Sequence, residues 1–450
     1  MLRDSILKTP EQLMEVCSTI YNAGYQVYVV GGAVRDYLRG ENPTDWDLAT
    51  NARPEQVEAL FPKTIPTGKQ FGTITVVVGE NFYEVTTFRK EGRYSDKRHP
   101  DEVVYTETIV DDLERRDFTI NAIAYDPINQ EYVDPFNGFS DLKRKLLRTV
   151  GDPSERFAED PLRILRLLRF VATLEFRPER RTLHAIEPGS LQEVSKERIR
   201  DEFNKLLMAK KIDDALELMY TTGVMDIILP ELAACKGVSQ GDRHQWDVLG
   251  HSIVAAQMVK PSLHLRLAAL FHDIAKPVCM SRSDKGIHFY RHEVIGEELT
   301  KDILTRLRYR SSIKESVSRL VRWHMFSIHP LSSDRAIRRF ISKVGVDYII
   351  DLLEIRRADI LAQRFSAKQA YEFISDLYDR IQEILDQEAA LTVKDLAING
   401  DDIMENLNIP PGKQVGEIIK YLLDRVIDEP NLNEKEILIK LAKKYINTTY

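Results

Sequence analysis

The stretch that decides the fold of the first domain is QVYVVGGAVRDYLRGENPTDWD, residues 26–47. Its β-rich start, 26–30, ends abruptly in Gly31-Gly32, which predicts a strand, a tight turn and then a helix. Glycines at such a turn let a phosphate approach the backbone amides at the start of the helix, and Arg35 adds a fork of donors. The stretch therefore predicts a phosphate-binding unit, although a Gly-Gly pair alone is usually only a turn.

Two carboxylates, Asp45 and Asp47, close the same stretch. On a strand, residues i and i+2 point to the same face, so we expect them side by side with Trp46 turned into the core. Two adjacent like charges are unfavourable unless a cation neutralises them. Mg²⁺ bound by carboxylates and substrate phosphates suits this arrangement, and two ions could serve the attacking and leaving oxygens. Taken alone, the pair is equally compatible with an exposed polar edge.

Outward from this stretch, the chain changes character near residue 150. Strand-like runs at 45–49, 73–78 and 83–88 predict a mixed sheet with a few helices up to that point. Beyond it, apolar residues recur at spacings of three and four almost to the end, while Gly and Pro mainly punctuate. We therefore expect an α/β head followed by a long all-α body.

Composition and charge limit the class of protein. The chain has 450 residues, 43% of them apolar and 30% charged, which excludes a disordered or collagen-like protein. It has no apolar run near the roughly 18 residues of a spanning helix and no apolar signal core. Three scattered cysteines without a CxxC pair favour a reducing compartment. We expect a cytoplasmic protein with no membrane partner.

The net charge of −7 would not suggest a nucleic-acid binder, but the charge is unevenly distributed. Between Arg306 and Lys343 there are ten basic residues and two acidic ones. A local basic stretch can contact phosphates within an acidic protein. The alternative is a solvated helical face.

The order strand, Gly-Gly-x-x-Arg-Asp, Asp-x-Asp resembles the nucleotidyltransferase superfamily, and more closely its branch of class II tRNA nucleotidyltransferases and bacterial poly(A) polymerases. The resemblance covers about residues 20–210. It includes RRDFTINA at 115–122, DPFNGFSDL at 134–142 and SKERIRDE at 195–202. The last two elements resemble the joint between head and neck and a structural element of the neck.

The resemblance implies roles for residues of the head. Its metal-binding pair falls on Asp45 and Asp47, and Glu84 on a neighbouring strand is a candidate third carboxylate, the alternative being a salt bridge to Arg89. The implied nucleotide-binding residues of the head are Gly32, Arg35, Arg116, Asp117 and Asn121, with arginine for phosphate and Asp and Asn for the ribose hydroxyls.

The segment EDPLRILRLLRF, residues 159–170, can select the base. Asp160 and Arg163 are three residues apart, so they lie near one another on a helix and offer an acceptor beside a fork of donors. In class II enzymes such an element is the protein template for CTP and ATP, and Arg166 and Arg169 fall at family nucleotide contacts. The alternative is local, since Asp160 could simply cap the helix that Pro161 begins.

The charged segment RKEGRYSDKRHP, residues 89–100, is expected to be a mobile loop. Relatives that add CCA or only the final A keep such a loop, whereas relatives that add only CC have it shortened. Its presence argues against CC-only addition.

Histidines form a second constellation in the helical body. His251, His272-Asp273 and Asp359 are spaced like the metal ligands of HD-domain phosphohydrolases, with His292 and His324 as further candidates. An adjacent His-Asp pair on an apolar helix is unfavourable to bury unless it binds something, and imidazole with carboxylate suits a divalent transition metal. Each histidine alone is more simply a satisfied core residue, and an HD fold can persist as a scaffold.

These observations favour a nucleotidyltransferase with Mg²⁺ that adds CCA to tRNA 3′ ends from CTP and ATP, with an additional HD phosphohydrolase activity open. The alternatives are an A-adding enzyme or poly(A) polymerase, and an HD phosphohydrolase with a nucleotide-binding regulatory head. A non-catalytic RNA-binding scaffold would not need the intact carboxylates. We expect a head at 1–150, a helical neck that selects nucleotides and binds RNA at 151–235, an HD-type domain at 236–365 and a helical tail at 366–450. The sequence leaves the oligomeric state open.

Overall fold

The computed structural model describes residues 6–91, 103–241, 245–284, 286–363, 367–387 and 390–449. The chain divides into two compact units, Met1–Ile228 and Leu229–Tyr450, called unit 1 and unit 2 below. The expected division into four domains stays a prediction. In the described part of the chain, no helix is long and apolar enough to cross a bilayer.

Unit 1 contains an α/β head. Its strands are β1 (Val27–Val30), β2 (Asp47–Thr50), β3 (Thr64–Gly68), β4 (Thr73–Val78), β5 (Asn81–Thr87), β6 (Arg89–Glu91), β7 (Val103–Tyr105), β8 (Ala124–Asp126), β9 (Glu131–Val133), β10 (Leu146–Leu147) and β11 (Arg177–Pro178). Its helices are α1 (Glu11–Asn22), α2 (Gly32–Leu38), α3 (Pro54–Leu60), α4 (Ile109–Glu114), α5 (Gly138–Arg144), α6 (Pro153–Glu159), α7 (Leu162–Leu174), α8 (Arg180–His184), α9 (Lys196–Leu207), α10 (Asp213–Thr221) and α11 (Val224–Ile228).

The described part of the head contains a seven-stranded mixed sheet in the order β3-β4-β5-β2-β1-β8-β9. Strands β2 and β5 pair in parallel, whereas β1 pairs with β2 and β8 in antiparallel fashion. Val29, Leu48 and Ala49 are fully buried, as expected for central strands that are covered on both faces. The predicted α/β head is therefore confirmed, and its central strands carry the motifs of the stretch 26–47.

The described residues of unit 2 are helical apart from one hairpin and the connecting loops. Its elements are α12 (Pro230–Ala233), α13 (Val248–Met258), α14 (Leu263–Phe271), α15 (Lys276–Cys279), β12 (Met280–Ser283), β13 (Gly286–Phe289), α16 (His292–Arg306), α17 (Ser311–Trp323), α18 (Asp334–Val344), α19 (Ile349–Ala362), α20 (Ala367–Asp386), α21 (Gly400–Leu407), α22 (Lys413–Asp428) and α23 (Lys435–Thr449). The helical body is confirmed, although the expectation that it is purely helical missed the β12–β13 hairpin.

Several arginines of the basic stretch 306–343 are tied within unit 2. Arg335 and Arg339 both pair with Asp428 at 2.6 Å, and the buried Arg338 donates to the carbonyl oxygen of Ile427 at 2.7 Å. These bonds fasten α18 to the end of α22. The stretch is therefore neither a uniformly solvated face nor a uniformly free phosphate-binding face, because part of its charge is used for packing.

The expected loop at 89–100 falls partly outside the described residues. The charged segment 89–100 begins as strand β6, which pairs with β7, so its first three residues are not loop. Residues 92–102 lie outside the part of the chain that the structure describes.

Candidate active site

Three carboxylates meet where β2 and β5 run side by side. Asp47 opens β2 and stands directly opposite Glu84 of β5 in the parallel register, so both side chains share one face of the sheet. Asp45 is exposed and lies just before β2 rather than on it. Trp46 is only half-buried, so the expectation that it turns into the core is wrong. The predicted carboxylate cluster nevertheless forms, through strand pairing.

The pKa of Asp47 reflects its burial and the nearness of the other two carboxylates. Burial, followed by the charges of Asp45 and Glu84, raises the pKa of Asp47 to about 6, although Arg116 opposes the shift. Glu84 is exposed and, in the described part of the chain, forms no ion pair with Arg89, which instead donates to the carbonyl oxygen of Phe71. The oxygen atoms therefore remain available, and hard divalent cations prefer such oxygen ligands.

Gly31 and Gly32 make room for this cluster. Gly31 has φ of 73°, a left-handed conformation, and an added Cβ would lie 3.3 Å from Arg116 Nη1 and 3.4 Å from Asp47 Oδ2. Gly32 is the first residue of α2, so backbone amides at the start of that helix lie next to the carboxylates. The predicted strand, turn and helix are confirmed, and Gly31 is the glycine with the stricter requirement.

A chain of hydrogen bonds links the predicted nucleotide-binding residues. Arg35 Nη1 donates to Asn121 Oδ1 at 2.8 Å, and Asn121 Nδ2 donates to Asp117 Oδ1 at 2.9 Å. The other oxygen of Asp117 accepts from Arg166 Nε at 2.8 Å and lies 2.6 Å from Arg166 Nη2. The Asp117 Oδ1 atom also accepts from the amide of Phe118.

Asp117 therefore differs from its expected role. Four donors occupy its two oxygens, which is the capacity of a carboxylate, so none is left for a ribose hydroxyl. Burial alone would raise the pKa of Asp117, but Arg166 and Asn121 outweigh burial and lower the pKa to about 2. Asp117 is better described as a residue that positions Arg166 and Asn121 than as a ribose contact.

Arginines surround a cavity of about 440 Å³ beside the carboxylates. The arginines that line the cavity are Arg35, Arg115, Arg116, Arg163, Arg166, Arg169 and Arg198, facing Asp47, Asp117 and Asp160. The surplus of positive charge is suited to a polyphosphate. Phe170 forms an apolar wall, with the guanidinium carbon of Arg169 4.2 Å from its ring centroid.

The expected base-selecting pair lines this cavity, but each member has its own partner. Asp160 Oδ1 accepts from the amide of Leu162 at 3.1 Å, so Asp160 does assist the start of α7, and Asp160 Oδ2 pairs with Arg198 at 2.8 Å. Arg163 is buried and pairs with Glu159 at 2.6 Å. The local capping role and a place in the cavity are thus both present.

Sequence reasoning missed Arg198 and Glu159 as parts of this site. Arg198 belongs to the element 195–202, which is expected to be purely structural, yet it lines the cavity from α9. Glu159 holds Arg163, and Glu202 holds Arg169 at 2.7 Å. Asp160 and Arg198 are 38 residues apart, so no local spacing could have signalled their pairing.

The histidine constellation of unit 2 closes into one buried cluster. His251, His272 and Asp273 form one group of ligand atoms within 4.8 Å of one another, and Asp273, His292 and His324 form a second. Asp273 belongs to both groups, with Oδ2 3.2 Å from His272 Nε2 and Oδ1 3.3 Å from His292 Nε2. Asp359 joins at 3.1 Å from His251 Nε2. All six predicted ligands are brought together.

Backbone carbonyls orient these rings. The Nδ1 atoms of His272, His292 and His324 each lie 2.7 Å from a carbonyl oxygen three residues earlier. Such a bond places the proton on Nδ1 and turns the lone pair of Nε2 toward the cluster, as in metal-ligating histidines. The Nε2 atoms of His292 and His324 face each other at 3.2 Å, an arrangement that a bound cation stabilises.

Other histidines lie apart from the cluster. His264 pairs with Asp351 at 2.7 Å, His288 bonds Ser283, and His329 contacts Phe373. These contacts are typical of histidines with structural roles. His244 lies outside the described residues.

Comparison with protein families gives three successive matches. Residues 27–148 match the Poly A polymerase head domain, residues 175–236 match the RNA and SrmB-binding site of polymerase A, and residues 295–442 match tRNA nucleotidyltransferase domain 2. The matched ranges do not include 237–294, which holds four of the six clustered ligands.

Some similar proteins align with nearly the whole chain and others with about half of it. A CCA-adding enzyme of Anoxybacillus flavithermus is 32% identical over 436 residues, 96% of each chain. One of Staphylococcus epidermidis is 45% identical over 211 residues, 46% of this chain and 52% of its own. The crystal structure of the Bacillus stearothermophilus CCA-adding enzyme in complex with CTP is similar with a TM-score of 0.74 at 27% identity, over 98% of both chains.

The raised pKa of Asp47 predicts a stability gain on removing its charge. The folded state holds the Asp47 proton more tightly than the unfolded chain does, so above pH 6 the ionised group destabilises the metal-free fold. We expect Asp47→Asn to raise the free energy of unfolding by roughly 1–3 kcal/mol at pH 8, with the gain shrinking as the pH falls toward 4. Urea unfolding in EDTA measures this.

Asp117→Asn is the matched control, because its pKa is lowered to about 2 and its ionised form stabilises the fold above the unfolded pKa. It should lose stability at pH 8. A loss of stability in Asp47→Asn at pH 8 would contradict the assignment of a crowded, uncompensated carboxylate.

Proposed function

The chain belongs to the family of CCA-adding enzymes, and we propose that its arginine-lined cavity builds the CCA end of tRNA from CTP and ATP. The observation that carries this proposal is the three-carboxylate cluster at one edge of a cavity lined by seven arginines. Oxygen ligands for a cation thus lie next to a site for a triphosphate. The same arrangement favours nucleotidyl transfer over the alternative of a regulatory head, because mere nucleotide binding does not require clustered carboxylates.

Enzymes of this family use divalent metal ions, and we propose that Asp45, Asp47 and Glu84 hold Mg²⁺ here. The raised pKa of Asp47 fits this, since a bound cation would relieve the repulsion that raises it. When bound, such an ion activates the 3′ hydroxyl and stabilises charge on the triphosphate. Glu84 supports the site from β5, where strand pairing fixes its distance from Asp47.

The side chains of the cavity bind and orient the two substrates. Arg35, Arg116 and the amides after Gly31 offer donors to the phosphates, so the α-phosphate is held in line with the tRNA 3′ hydroxyl. Attack of that hydroxyl forms a new phosphodiester bond and breaks the bond to pyrophosphate. Asn121, held by Arg35 and Asp117, is left as the polar group for the ribose.

The base is selected by Asp160 and Arg163 as positioned by their partners. Arg198 and Glu159 hold the two side chains in fixed directions. Arginine can donate to the acceptors of cytosine, and aspartate can accept from the amino groups of cytosine and adenine. Guanine and uracil present the wrong pattern, so fixed orientations favour CTP and ATP.

Within the class, the relatives favour complete CCA addition. The similar proteins of A. flavithermus and S. epidermidis are CCA-adding enzymes. The alternative activities are those of an A-adding enzyme and of a poly(A) polymerase. They differ from CCA addition in the number and kind of nucleotides that are added. Action on tRNA is consistent with the cytoplasm, where we propose the protein works.

A second activity is favoured by the buried cluster of unit 2. Six ligands converge there with their ring lone pairs turned inward, and Asp273 belongs to both groups of three. We propose that the cluster binds divalent transition-metal ions and hydrolyses a phosphate ester. Lys276, 2.6 Å from Asp273 Oδ2, adds a cation at the edge of the cluster.

Nucleotide addition depends on the three carboxylates of the head. Asp45→Ala, Asp47→Ala and Glu84→Gln should each lower the rate of [α-³²P]CTP incorporation into tRNA lacking CCA, the first two by 10²-fold or more because each removes a carboxylate where charge develops (order of magnitude). His272→Ala, in unit 2, is the control and should keep its rate. Near-normal incorporation by Asp47→Ala would exclude the carboxylate assignment.

The base preference of an Asp160 variant can separate the two proposed roles of this residue, which are to cap α7 and to contact the base. Asp160→Ser keeps the helix cap but loses the carboxylate that accepts from the base. We therefore expect misincorporation of UTP or GTP to rise by about 10-fold or more, as for a lost polar contact of about 1–3 kcal/mol. Arg198→Ala should reproduce the change because it releases Asp160. Unchanged base preference in Asp160→Ser would leave only the capping role.

The proposed metal cluster of unit 2 is tested by measuring how much metal each variant retains and whether it hydrolyses phosphate esters. After loading with Mn²⁺ and desalting, the wild type should retain metal, Asp273→Ala should lose it most completely because it serves both groups, and His264→Gln should retain it. The wild type, but not His272→Ala, should release phosphate from 2′-phosphate or 2′,3′-cyclic phosphate esters with Mn²⁺, Ni²⁺ or Co²⁺. Metal bound equally by all variants would contradict the cluster, and bound metal without hydrolysis would make it structural.

A further inference from the structure

A second cavity lies along the helix pair α16 and α17 in unit 2. Its volume is about 740 Å³. It is lined by Glu297, Lys301 and Thr305 of α16, by Lys343 of α18, and by α17 from Ser311 to Trp323. The α16 residues are four apart, so they form a single stripe along the helix. We call this cavity the α16–α17 groove.

The groove is predominantly positive. Five cationic side chains line it against two carboxylates, Glu297 and Glu315. Lys301 is compensated by Glu297 at 2.8 Å, and Arg319 donates to the carbonyl oxygen of Val344. In the described part of the chain, no carboxylate lies within salt-bridge distance of Lys314 or Lys343. These two lysines therefore bring positive charge into the groove that no described carboxylate compensates.

An aromatic ring stands in the same groove. Trp323 is half-buried and lines the cavity, and the guanidinium carbon of Arg322 lies 5.2 Å from its ring centroid. A positive groove with an aromatic surface is the combination that binds single-stranded nucleic acid, in which cations follow the phosphates and a ring stacks on a base. A duplex would hide its bases from the ring, so the ring favours a single strand.

The groove borders the histidine cluster. Helix α16 begins with His292, and α17 is followed directly by His324. The two helices approach closely there, since a Cβ on Gly296 would lie 3.2 Å from Val321 Cγ1. Arg322 and Trp323 thus line the groove immediately before His324 in the chain. One end of the groove, marked by Glu297 and Trp323, therefore lies within five residues of His292 along α16 and next to His324 along α17.

We propose that the α16–α17 groove binds a single-stranded RNA segment through Lys314, Lys343 and Trp323, so that the histidine cluster acts on the phosphate of an RNA end rather than on a free nucleotide. The substrate part of this inference rests on the hydrolytic activity proposed above. The binding part does not, because it depends only on the charge and the aromatic surface of the groove.

Binding is tested with the full chain and a fluorescein-labelled ten-nucleotide RNA that ends in a 2′,3′-cyclic phosphate. Lys314→Ala/Lys343→Ala should weaken binding about 10–30-fold at 0.1 M salt and reduce the slope of log K against log salt by about 1.4, the value for two lost phosphate contacts. Lys413→Ala/Lys420→Ala on α22 removes two exposed lysines outside the groove and should bind like the wild type. Equal affinities for both double variants would overturn the proposal.

Hydrolysis separates this inference from the activity on which it rests. With Mn²⁺, Lys314→Ala/Lys343→Ala should raise KM for the RNA end about 10-fold or more while leaving kcat/KM for adenosine 2′-phosphate unchanged. Equal losses on both substrates would contradict an RNA-specific groove. If the wild type hydrolyses neither substrate, the hydrolytic function fails and the substrate assignment with it, whereas the affinity and salt slope still decide whether the groove binds RNA.

Discussion

The structure of the head depends on the parallel pairing of β2 with β5, which sets Asp47 opposite Glu84. Together with Asp45, this pairing concentrates negative charge in a partly buried place and raises the pKa of Asp47. The fold tolerates the repulsion because Arg116 stands beside Asp47 and because Gly31 keeps the space between them open. Under the proposed function, a bound divalent cation would relieve this repulsion, so the proposal accounts for a site that is unfavourable by itself.

In the wall of the cavity, unlike in the carboxylate cluster, many of the charged side chains have partners of opposite charge. Several of its arginines are held by acidic residues that do not belong to the carboxylate cluster, such as Asp112, Glu159 and Glu202. Asp112 is fully buried, and although burial alone would raise its pKa, Arg115 and Arg116 lower it. These pairs fix the directions of the guanidinium groups before a nucleotide arrives. Preorganised donors stabilise charge in the transition state without a reorganisation penalty.

In unit 2, the candidate metal ligands are likewise held in fixed directions, and most of them are ring nitrogens. Its buried rings are oriented by backbone carbonyls, and Asp273 links two groups of three ligands. Imidazoles suit softer transition metals, whereas the carboxylates of the head suit Mg²⁺, so the two centres would select different ions. Four of the six ligands lie in 237–294, outside the ranges matched by the family models, although relatives align with nearly the whole chain.

Short sequence motifs were enough to predict much of the head and of both clusters. The Gly-Gly turn, the Asp-x-Asp pair and the His-Asp pair are short-range signals, and the structure brings their residues together as expected. What failed depended on tertiary partners. Trp46 is only half-buried, and β2 begins at Asp47, two residues after the start of the predicted run 45–49. Asp117 accepts from Arg166, which is 49 residues away. Arg338 is used for packing against α22, a contact that no local spacing in the sequence reveals.

The most direct measurement is sequencing of the products formed on tRNA transcripts that end before CCA, at C and at CC. Each transcript is incubated with Mg²⁺ and with CTP alone, ATP alone or both. The account predicts that CTP alone completes CC on the first two transcripts, that ATP alone extends only the CC-ended one, by a single A, and that both together yield CCA and then stop. Extension of the CC-ended transcript alone, or a run of several A residues, would contradict it.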